Sequence, residues 1–378
     1  MIDPHTTAPP PIAARGVPPE ITVRLPPVYL PMPLQVHPRL EVLERDGVAF
    51  MTRHGLCRDA AMRARVVDSM SARLFGYACP DGDTGRLQLA VDWTYLLFLL
   101  DDEHGDQDAS GGTDGDNFAL LDLAVRIVRT LEAPDARVLE PGHPVSGPVL
   151  ELATRLRRIA DPRHRRRMAD AHLHWLMGTA WEIPATVRRP RPSVNDYLLT
   201  RMMHVAHAAV LTWVQISEPD VIDDSEITSG PVRALTEMVG AVGTIDQDLY
   251  GYGRDQWIAR HRPVPAVPIA NMVNVYATAQ NLSTDQALHA TVELRDRIVH
   301  RFLRLRAEIR PAASPALRRY LDNLTTVLRG NYEFGMTAAR YRNPDGRHPG
   351  AVRTTGTITD TPAATGAPGV PCIDWWWS

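Results

Sequence analysis

The chain has 378 residues, of which 44% are hydrophobic and 22% charged, and its formal net charge is −3. These values predict a globular protein with a large buried core, and a charge this close to zero argues against nucleic acid as a partner. All 41 basic residues are arginines, which excludes lysine Schiff-base chemistry and a P-loop lysine.

The cysteines and the apolar runs limit the class of protein further. Cys57, Cys79 and Cys372 are too few and too scattered for a disulfide framework or a zinc cluster. The N-terminal stretch lacks the apolar region of a secretory signal, and the most apolar run, 93–100, is far shorter than the ~20 residues of a membrane span. We therefore expect a soluble cytoplasmic protein without membrane insertion, either a monomer or a homodimer.

Residues 1–35 form a proline-rich N-terminal flank, for which the sequence predicts neither regular helix nor central strand and partial disorder. From 36 to 345, apolar residues recur three and four positions apart, which is typical of amphipathic helices. Helices are predicted over 39–55, 60–76, 86–104, 117–132, 148–159, 163–182, 195–216, 231–252, 268–279, 283–309 and 315–340. Without βαβ alternation or a fixed repeat, this pattern indicates a single-domain, all-α bundle.

Residues 346–378 are rich in Gly, Thr and Pro and end in Trp375, Trp376 and Trp377. The three tryptophans either dock on the bundle or end a loose tail. The composition favours a flexible C-terminal tail.

The first pattern with chemical meaning is WTYLLFLLDDEHGD at 93–106, where an apolar helix runs into Asp101, Asp102, Glu103 and Asp106. Such a helix end repels itself unless it is solvated or a cation neutralises it. Ligands that are all oxygen point to Mg²⁺, an ion that commonly holds phosphate groups. This pattern alone is compatible with two interpretations, a metal site and a solvated acidic helix end.

Two further patterns follow toward the C-terminus. In TIDQDLYGYGRD, Gln247, Gly251 and Asp255 are spaced i, i+4, i+8 and lie within about 80° on one helix face. Arg254 beside them can hydrogen-bond a phosphate oxygen.

In LRGNYEFGMTAARYRNP, Arg340 and Tyr341 stand at a helix end. An arginine and a phenol together suit a cluster of anionic oxygens, although a cation is favoured at any helix C-terminus.

Together these patterns resemble the bacterial class I terpene synthases over about residues 25–345. That family has a DDxx(x)D motif after an apolar helix, then an NDxxSxxxE motif and a terminal Arg-Tyr pair, in this order. It also has a diphosphate-sensing arginine before the second motif; Arg201, in SVNDYLLTRMMHV, lies 46 residues before Gln247, at the expected separation. The resemblance implies a class I terpenoid synthase helical bundle with a central apolar cavity.

The same resemblance implies a Mg²⁺-dependent cyclase that ionises a linear isoprenyl diphosphate and cyclises the carbocation to a terpene hydrocarbon or alcohol, releasing diphosphate. Farnesyl diphosphate is the expected substrate, with geranylgeranyl or geranyl diphosphate as alternatives. Three Mg²⁺ ions would be held by Asp101, Asp102, Asp106, Gln247, Gly251 and Asp255. Substrate would contact Arg201, Arg254, Arg340, Tyr341 and Phe98, and the catalytic set would be Asp101, Arg201, Arg340 and Tyr341.

The chain departs from the family in the second motif, where Gln247 replaces Asn, Gly251 replaces Ser or Thr, and Asp255 replaces Glu. A water would have to replace the hydroxyl missing at Gly251. In the first motif, Asp106 lies about 140° round an ideal helix from Asp101, so it can join the site only if the helix loosens at Gly105.

Other interpretations remain open. A chain-elongating prenyl diphosphate synthase would need a second DDxxD and usually lysines, and a catalytically dead homologue could bind a hydrophobic ligand. Arg201 could pair structurally with an acid on a neighbouring helix. His204 and His207 follow Arg201 on a helix expected to line the cavity, and most such histidines are hydrogen-bonded core residues.

Overall fold

A computed structural model describes residues 18–108, 114–188, 192–261 and 271–378, with side chains for all of these except 101–108, 114–117 and 182–188. Within this part of the chain the structure is a helical bundle with two very small sheets, which confirms the predicted all-α class. The helices are α1 Leu40–Arg53, α2 Ala60–Ser69, α3 Ser71–Ala78, α4 Thr84–Asp108, α5 Asp114–Glu132, α6 Ser146–Ile159, α7 Pro162–Arg188, α8 Val194–His204, α9 His207–Ile216, α10 Asp224–Ile227, α11 Gly230–His261, α12 Met272–Ala279, α13 Thr284–Ile309 and α14 Pro315–Thr337.

Helices α4 and α11 form the centre of the bundle. Successive turns of α4 bury Leu87, Val91, Trp93 and Leu96 on different sides, and α11 is buried from Val232 to Gly253 with few exceptions. A helix that is buried on most sides must be enclosed by others: α1, α3 and α6 pack on α4, and α12, α13 and α14 pack on α11. The acidic end of α4 and the second motif on α11 therefore belong to two helices that the bundle encloses.

Two predicted helices are interrupted where the sequence gives no proline or glycine signal. The predicted helix 60–76 breaks at Met70 (φ 48°), and 195–216 breaks at Ala206 (φ 56°), both in the left-handed region. Helix starts follow the expected capping: Ser193 accepts a hydrogen bond from Asp196 N, and Ser283 forms a capping box with Gln286. The break at Ala206 separates α8 from α9 beside the residues considered below.

Both chain ends pack on the bundle, so the expectation of loose flanks is wrong for the described residues. Strand β1 (Ile21–Arg24) pairs in parallel with β3 (Val352–Thr355), and β2 (Val28–Tyr29) pairs in parallel with β4 (Ile358–Thr359). Composition alone could not predict this, because each segment obtains its backbone hydrogen bonds from the opposite end of the chain. Residues 1–17 of the predicted N-terminal flank lie outside the described residues.

The three terminal tryptophans dock on the bundle rather than end a loose tail. Trp376 is buried; its indole N–H donates to Glu237 on α11 at 3.2 Å, and its carbonyl accepts from Arg301 on α13 at 2.7 Å. Trp375 and Trp377 flank its ring. A large aromatic surface with a satisfied N–H is a stable anchor, and it holds the C-terminal segment against α11 and α13.

A buried charge cluster joins both flanks to the core. Arg295 on α13 pairs with Asp246 on α11 and with Asp296, and all three side chains are fully buried. The Arg295 guanidinium also donates to the Tyr29 carbonyl at 3.0 Å, while Asp296 accepts from the amides of Tyr29 and Ala363, each at 3.0 Å. The cluster therefore uses its charges to hold one segment from each end of the chain.

No described helix carries an apolar stretch of the length that a bilayer requires.

We predict that Arg295→Met destabilises the protein by about 3–5 kcal/mol, because it leaves two buried carboxylates without their counter-charge. Urea unfolding followed by circular dichroism measures the change. Arg304→Met is a matched control on the same helix: Arg304 is exposed, and its replacement should change stability by less than about 0.5 kcal/mol. Equal stability of the two variants would show that the cluster does not hold the flanks.

Candidate active site

The aspartate-rich motif lies on the last turns of α4, and its backbone is helical through Asp108. The helix therefore does not loosen at Gly105, since one glycine in a helix costs only about 1 kcal/mol relative to alanine and does not by itself break it. The condition under which Asp106 could join Asp101 in one site is not met. The side chains of Asp101, Asp102 and Asp106 lie outside the described residues. Among the side chains that are described, no three His, Cys, Asp or Glu residues converge as a metal cluster.

Arg201 on α8 meets a carboxylate of α11. Its Nε and Nη2 donate to Asp248 Oδ1 at 3.4 and 3.2 Å, and Nη1 lies 2.9 Å from His204 Nδ1. The guanidinium is only 15% exposed and the Asp248 side chain 1%, so this is a largely desolvated ion pair. The sequence left open whether Arg201 pairs with an acid on a neighbouring helix. It does, and that acid is Asp248.

The sequence patterns do not single out Asp248, yet it organises this part of the bundle. Its second oxygen accepts from the Tyr197 hydroxyl at 2.7 Å and from the Met272 amide at 2.8 Å. Donors from α8 and α12 therefore meet one buried carboxylate of α11. The available signal was the pair Asp246 and Asp248 in a stretch of helix that is otherwise mostly apolar.

The row Gln247, Gly251, Asp255 lies on α11 as predicted. Gln247 is half-buried and forms no side-chain hydrogen bond with any residue that the structure describes. Asp255 Oδ2 accepts from Asn271 Nδ2 at 2.9 Å. Burial raises the pKa of the Asp255 carboxyl to about 6, against the hydrogen bond from Asn271 and the positive charge of Arg254, which lower it. A cation beside this carboxylate would favour its charged form.

Arg340 and Tyr341 lie in a short 3₁₀ turn after α14 and face α4 and α11. The Arg340 guanidinium carbon is 4.2 Å from the centroid of the Phe98 ring, a cation–π contact. Phe98 is one helical turn before Asp101, which brings Arg340 close to the acidic end of α4. A Cβ added at Gly251 would lie 3.9 Å from Tyr341 Cε1, so Tyr341 stands over the predicted second motif.

Tyr250 fixes the orientation of Tyr341. The two rings meet edge to face with centroids 4.6 Å apart, and a hydrogen bond joins their hydroxyls. Burial and the neighbouring Tyr341 raise the pKa of Tyr250 well above its usual value, so this phenol stays protonated. Gly335 on α14 leaves the room that the Tyr250 ring occupies, because a Cβ there would lie 2.0 Å from Cε1 of Tyr250. The aromatic pair is thus positioned by packing from α14.

Arg254 faces Arg340 across a small pocket near the chain segment after Tyr341. Arg254, Arg340 and Asn343 line it together with Arg65 and Asp68 from α2 and with Pro344. Asn343 donates to Asp68 at 2.6 Å, which ties this segment to α2. The structure therefore brings five of the predicted site residues together: Phe98, Gly251, Arg254, Arg340 and Tyr341. Arg201, on α8, reaches the same side of α11 by its ion pair with Asp248.

Comparison with known proteins agrees with this geometry. Residues 92–301 match the family model described as terpene synthase family 2, C-terminal metal binding. The chain is 51% identical to phomopsene synthase of Allokutzneria albata, over 94% of this chain and 97% of that one, and 30% identical to diterpene cyclase DtcycA of Streptomyces sp, over 93% and 95%.

Solved structures show the same fold. The crystal structure of SVS_A2, a protein from ancestral sequence reconstruction, superposes with a TM-score of 0.77 at 30% identity, covering 93% of this chain and 98% of that one. Hedycaryol synthase, solved in complex with nerolidol, has the same fold at 18% identity and a TM-score of 0.66. With its family model, its full-length relatives and its fold in agreement, the chain belongs to the bacterial class I terpene synthases and is an enzyme of the terpene cyclase type.

Proposed function

We propose that this enzyme is a Mg²⁺-dependent cyclase of geranylgeranyl diphosphate, which it ionises and cyclises to a terpene with release of diphosphate. The observation that carries the proposal is the convergence of Arg254, Arg340 and Tyr341 on the second motif of α11, one turn from the acidic end of α4. Arginine guanidinium groups and a phenol are strong donors to phosphate oxygens, and acidic side chains beside them would hold the metal that a diphosphate brings.

The residues of α11 fit a divalent cation. Gln247 and Asp255 offer oxygen ligands, which Mg²⁺ prefers, and neither Asp255 Oδ1 nor the Gln247 side chain is used by another described residue. Gly251 offers no ligand atom but leaves space for a water, because Tyr341 is 3.9 Å from its Cβ position. We propose three Mg²⁺ ions, held by Asp101, Asp102, Gln247 and Asp255 and by a water at Gly251; Asp106, about 140° round the unbroken helix from Asp101, is left out of this set.

When bound, Mg²⁺ supplies positive charge to the diphosphate as the allylic C–O bond breaks. The protein's own part is to bind and orient the leaving group. Arg254, Arg340 and Tyr341 donate to its oxygens, and each hydrogen bond to a charged group contributes about 1.5–3 kcal/mol. The Phe98 face is covered by the Arg340 cation in the structure. It could stabilise a carbocation, by about 0.5–2 kcal/mol, only after Arg340 has moved from the ring to the diphosphate.

Arg201 supplies a further donor that is held ready by Asp248. In the structure it is paired with that carboxylate, which also has Tyr197 and the Met272 amide as donors. Because these two donors remain, Arg201 can turn toward a diphosphate without leaving Asp248 unsatisfied. We propose that this exchange couples substrate binding to a small rearrangement of α8 against α11.

The choice of a C20 substrate, rather than the C15 substrate expected from the sequence, has two supports. One relative, 30% identical over nearly the whole chain, is named a diterpene cyclase. The segment after Arg201, which the family resemblance places on the cavity side, also carries small residues, including Val205 and Ala208. Small side chains at this position leave depth for a longer hydrocarbon.

The test is a competition among geranyl, farnesyl and geranylgeranyl diphosphates at equal concentration, with purified full-length protein, Mg²⁺ and product analysis by gas chromatography. We expect C20 products to dominate and chelation to abolish them. Products of farnesyl diphosphate alone would restore the C15 assignment. If no substrate yields diphosphate in the presence of Mg²⁺, the chain is a binding protein and the proposal is wrong.

We predict that Asp101→Ala abolishes diphosphate release without unfolding the protein. Removing one of several clustered carboxylates relieves repulsion, but it takes away a metal ligand. Diphosphate release and melting temperature are measured on the same samples. Asp223→Ala is the control, at an exposed aspartate 3.4 Å from Arg163. It should leave both the diphosphate release and the melting temperature unchanged. Activity of Asp101→Ala within about tenfold of the parent would contradict the metal assignment.

Arg201→Lys should lower turnover by more than about tenfold while the melting temperature changes little. Lysine keeps the charge that pairs with Asp248 but loses the planar fork that two phosphate oxygens require. Arg201→Ala should lower turnover further. Arg329→Lys, at an arginine paired with Glu333 at 2.7 Å, is the control for the chemical change alone. A purely structural Arg201 would show the opposite order, with thermal stability lost first and activity in proportion.

We predict that Gly251→Ser is tolerated and lowers the Mg²⁺ concentration for half-maximal activity. The new side chain would meet Tyr341 only at ordinary van der Waals distance, and its hydroxyl would add a ligand atom to the row of Gln247 and Asp255. Replacing a helix-interior glycine should also add some stability. A higher Mg²⁺ requirement, or loss of activity, would mean that the register of the second motif is wrong.

A further inference from the structure

The outer face of three neighbouring helices carries a group of exposed apolar side chains. In the part of the chain that the structure describes, six large apolar residues of α5, α7 and α8 are between 44% and 71% exposed: Phe118, Val125, Leu173, Met177, Trp181 and Leu199. Single exposed apolar side chains are normal on a protein surface, whereas six on adjoining helices need an explanation. The proposed function uses none of them.

Three of the six form a stripe along the middle helix. Helix α7 packs against both α5 and α8, and these two have no extensive packing with each other among the described residues. Leu173, Met177 and Trp181 follow at intervals of four residues, so they lie within about 80° on one side of α7. Met168 and His172, on the other side of this helix, are fully buried. The stripe therefore faces away from the core.

The exposed residues of α5 come level with this stripe. The pKa of Arg166, near the start of α7, is raised first by a hydrogen bond to the carboxylate one turn further on and also by the charge of Glu132, at the end of α5. The end of α5 thus lies near the start of α7, and the two packed helices run antiparallel. At about 1.5 Å per residue on both helices, Val125 comes level with Leu173, and Phe118 with the far end of the stripe.

Leu199 extends the surface on the other side of α7. A Cβ added at Gly178 would lie 2.6 Å from the amide nitrogen of His204, so α8 turns back along α7 after the short connection between them. Leu199 precedes His204 by five residues and is therefore level with the end of the stripe, near Trp181. The six side chains form one continuous surface from α5 across α7 to α8, which we call the α7 face.

The size of the α7 face matches one side of a stable protein interface. Large apolar side chains present about 150–250 Å² each when fully exposed, so at these exposures the six contribute about 600 Å² of apolar surface. Monomeric proteins seldom expose a continuous apolar patch larger than a few hundred Å². A standard interface buries about 800 Å² per partner, and its core is about two-thirds apolar. The α7 face with its polar rim reaches this size.

The charged groups at the rim of the α7 face are neutralised within the chain. Arg126 pairs with Asp122 at 2.7 Å on α5, and Arg166 pairs with Asp170 at 3.0 Å on α7. Helix faces that bind anionic membranes instead carry an excess of basic residues beside their apolar stripe. A rim of matched charges attracts neither lipid headgroups nor nucleic acid, and it suits a partner that is equally neutral.

We propose that the α7 face joins two copies of this chain in a homodimer, with their α7 helices packed antiparallel about a twofold axis near Met177. The proposal does not depend on the proposed function. A stripe on one helix is complementary to itself under a twofold axis, because Leu173 then comes opposite Trp181 of the partner subunit and Met177 meets its own copy. Phe, Trp and Met, which the α7 face contains, are enriched at the cores of protein interfaces.

The first test is the mass of the full-length protein in solution, measured by light scattering after size-exclusion chromatography at several protein concentrations. We expect the mass of two chains of 42.0 kDa each. Met177→Glu places two charges at the axis and should raise the dissociation constant of the dimer by about 100-fold or more. Phe118→Glu is a second variant, for use if the first does not fold. Val67→Glu, at an exposed apolar residue of α2, is the control and should leave the dissociation constant unchanged.

A cysteine at position 177 tests the axis itself. Two thiols form a disulfide only when their Cβ atoms come within about 4.5 Å, which a twofold axis near this residue allows. Oxidised Met177→Cys should therefore run as a covalent dimer on a non-reducing gel. The parent protein, with its own three cysteines, and Val67→Cys are the controls and should run as single chains.

Three results would overturn the proposal. The parent protein could stay monomeric at every concentration. A dimer could persist in Met177→Glu, or form without a cross-link at position 177, and it would then use another surface. Sedimentation of the parent with vesicles of phosphatidylcholine and phosphatidylglycerol, lost in Met177→Glu, would assign the α7 face to a membrane instead. Because no measurement here depends on turnover, failure of the proposed function would leave these results unchanged.

Discussion

One buried carboxylate, Asp248, determines how the helices around the candidate site are arranged. It stands on the central helix α11 and accepts hydrogen bonds from Tyr197 and Arg201 on α8 and from the first amide of α12. A carboxylate this deeply buried is stable only with such a full set of donors. The consequence is that α8, α11 and α12 are held in one register, with Arg201 directed at the helix face that carries the second motif.

Helix α11 combines two buried electrostatic networks that have different purposes. Asp246 joins the fully buried cluster of Arg295 and Asp296, which holds a segment from each end of the chain. Asp248 and Asp255, two and nine residues further along the helix, face the candidate site. Since these networks lie on one rigid helix, docking of the chain ends also fixes the support of the site, which explains why the flanks are part of the folded structure.

The sequence predicted what depends on local pattern and missed what depends on distant partners. Helical periodicity located nearly all the helices, and the spacing of Gln247, Gly251 and Asp255 placed them correctly on one face. The breaks at Met70 and Ala206 carry no local signal, because a residue enters the left-handed region there only under constraint from the packed bundle. The flanking strands pair across the length of the chain, which composition cannot show, and Asp248 became important only once its donors were assembled.

The most direct measurement is a crystal structure of the protein with Mg²⁺ and diphosphate. We expect diphosphate at the end of the bundle between the acidic turns of α4 and the row of Gln247 and Asp255, bound by Arg254, Arg340 and Tyr341. Arg201 should have turned from Asp248 to a diphosphate oxygen, while Tyr197 and the Met272 amide still donate to Asp248. Diphosphate bound elsewhere, or Arg201 still paired with Asp248 beside a bound diphosphate, would contradict this account.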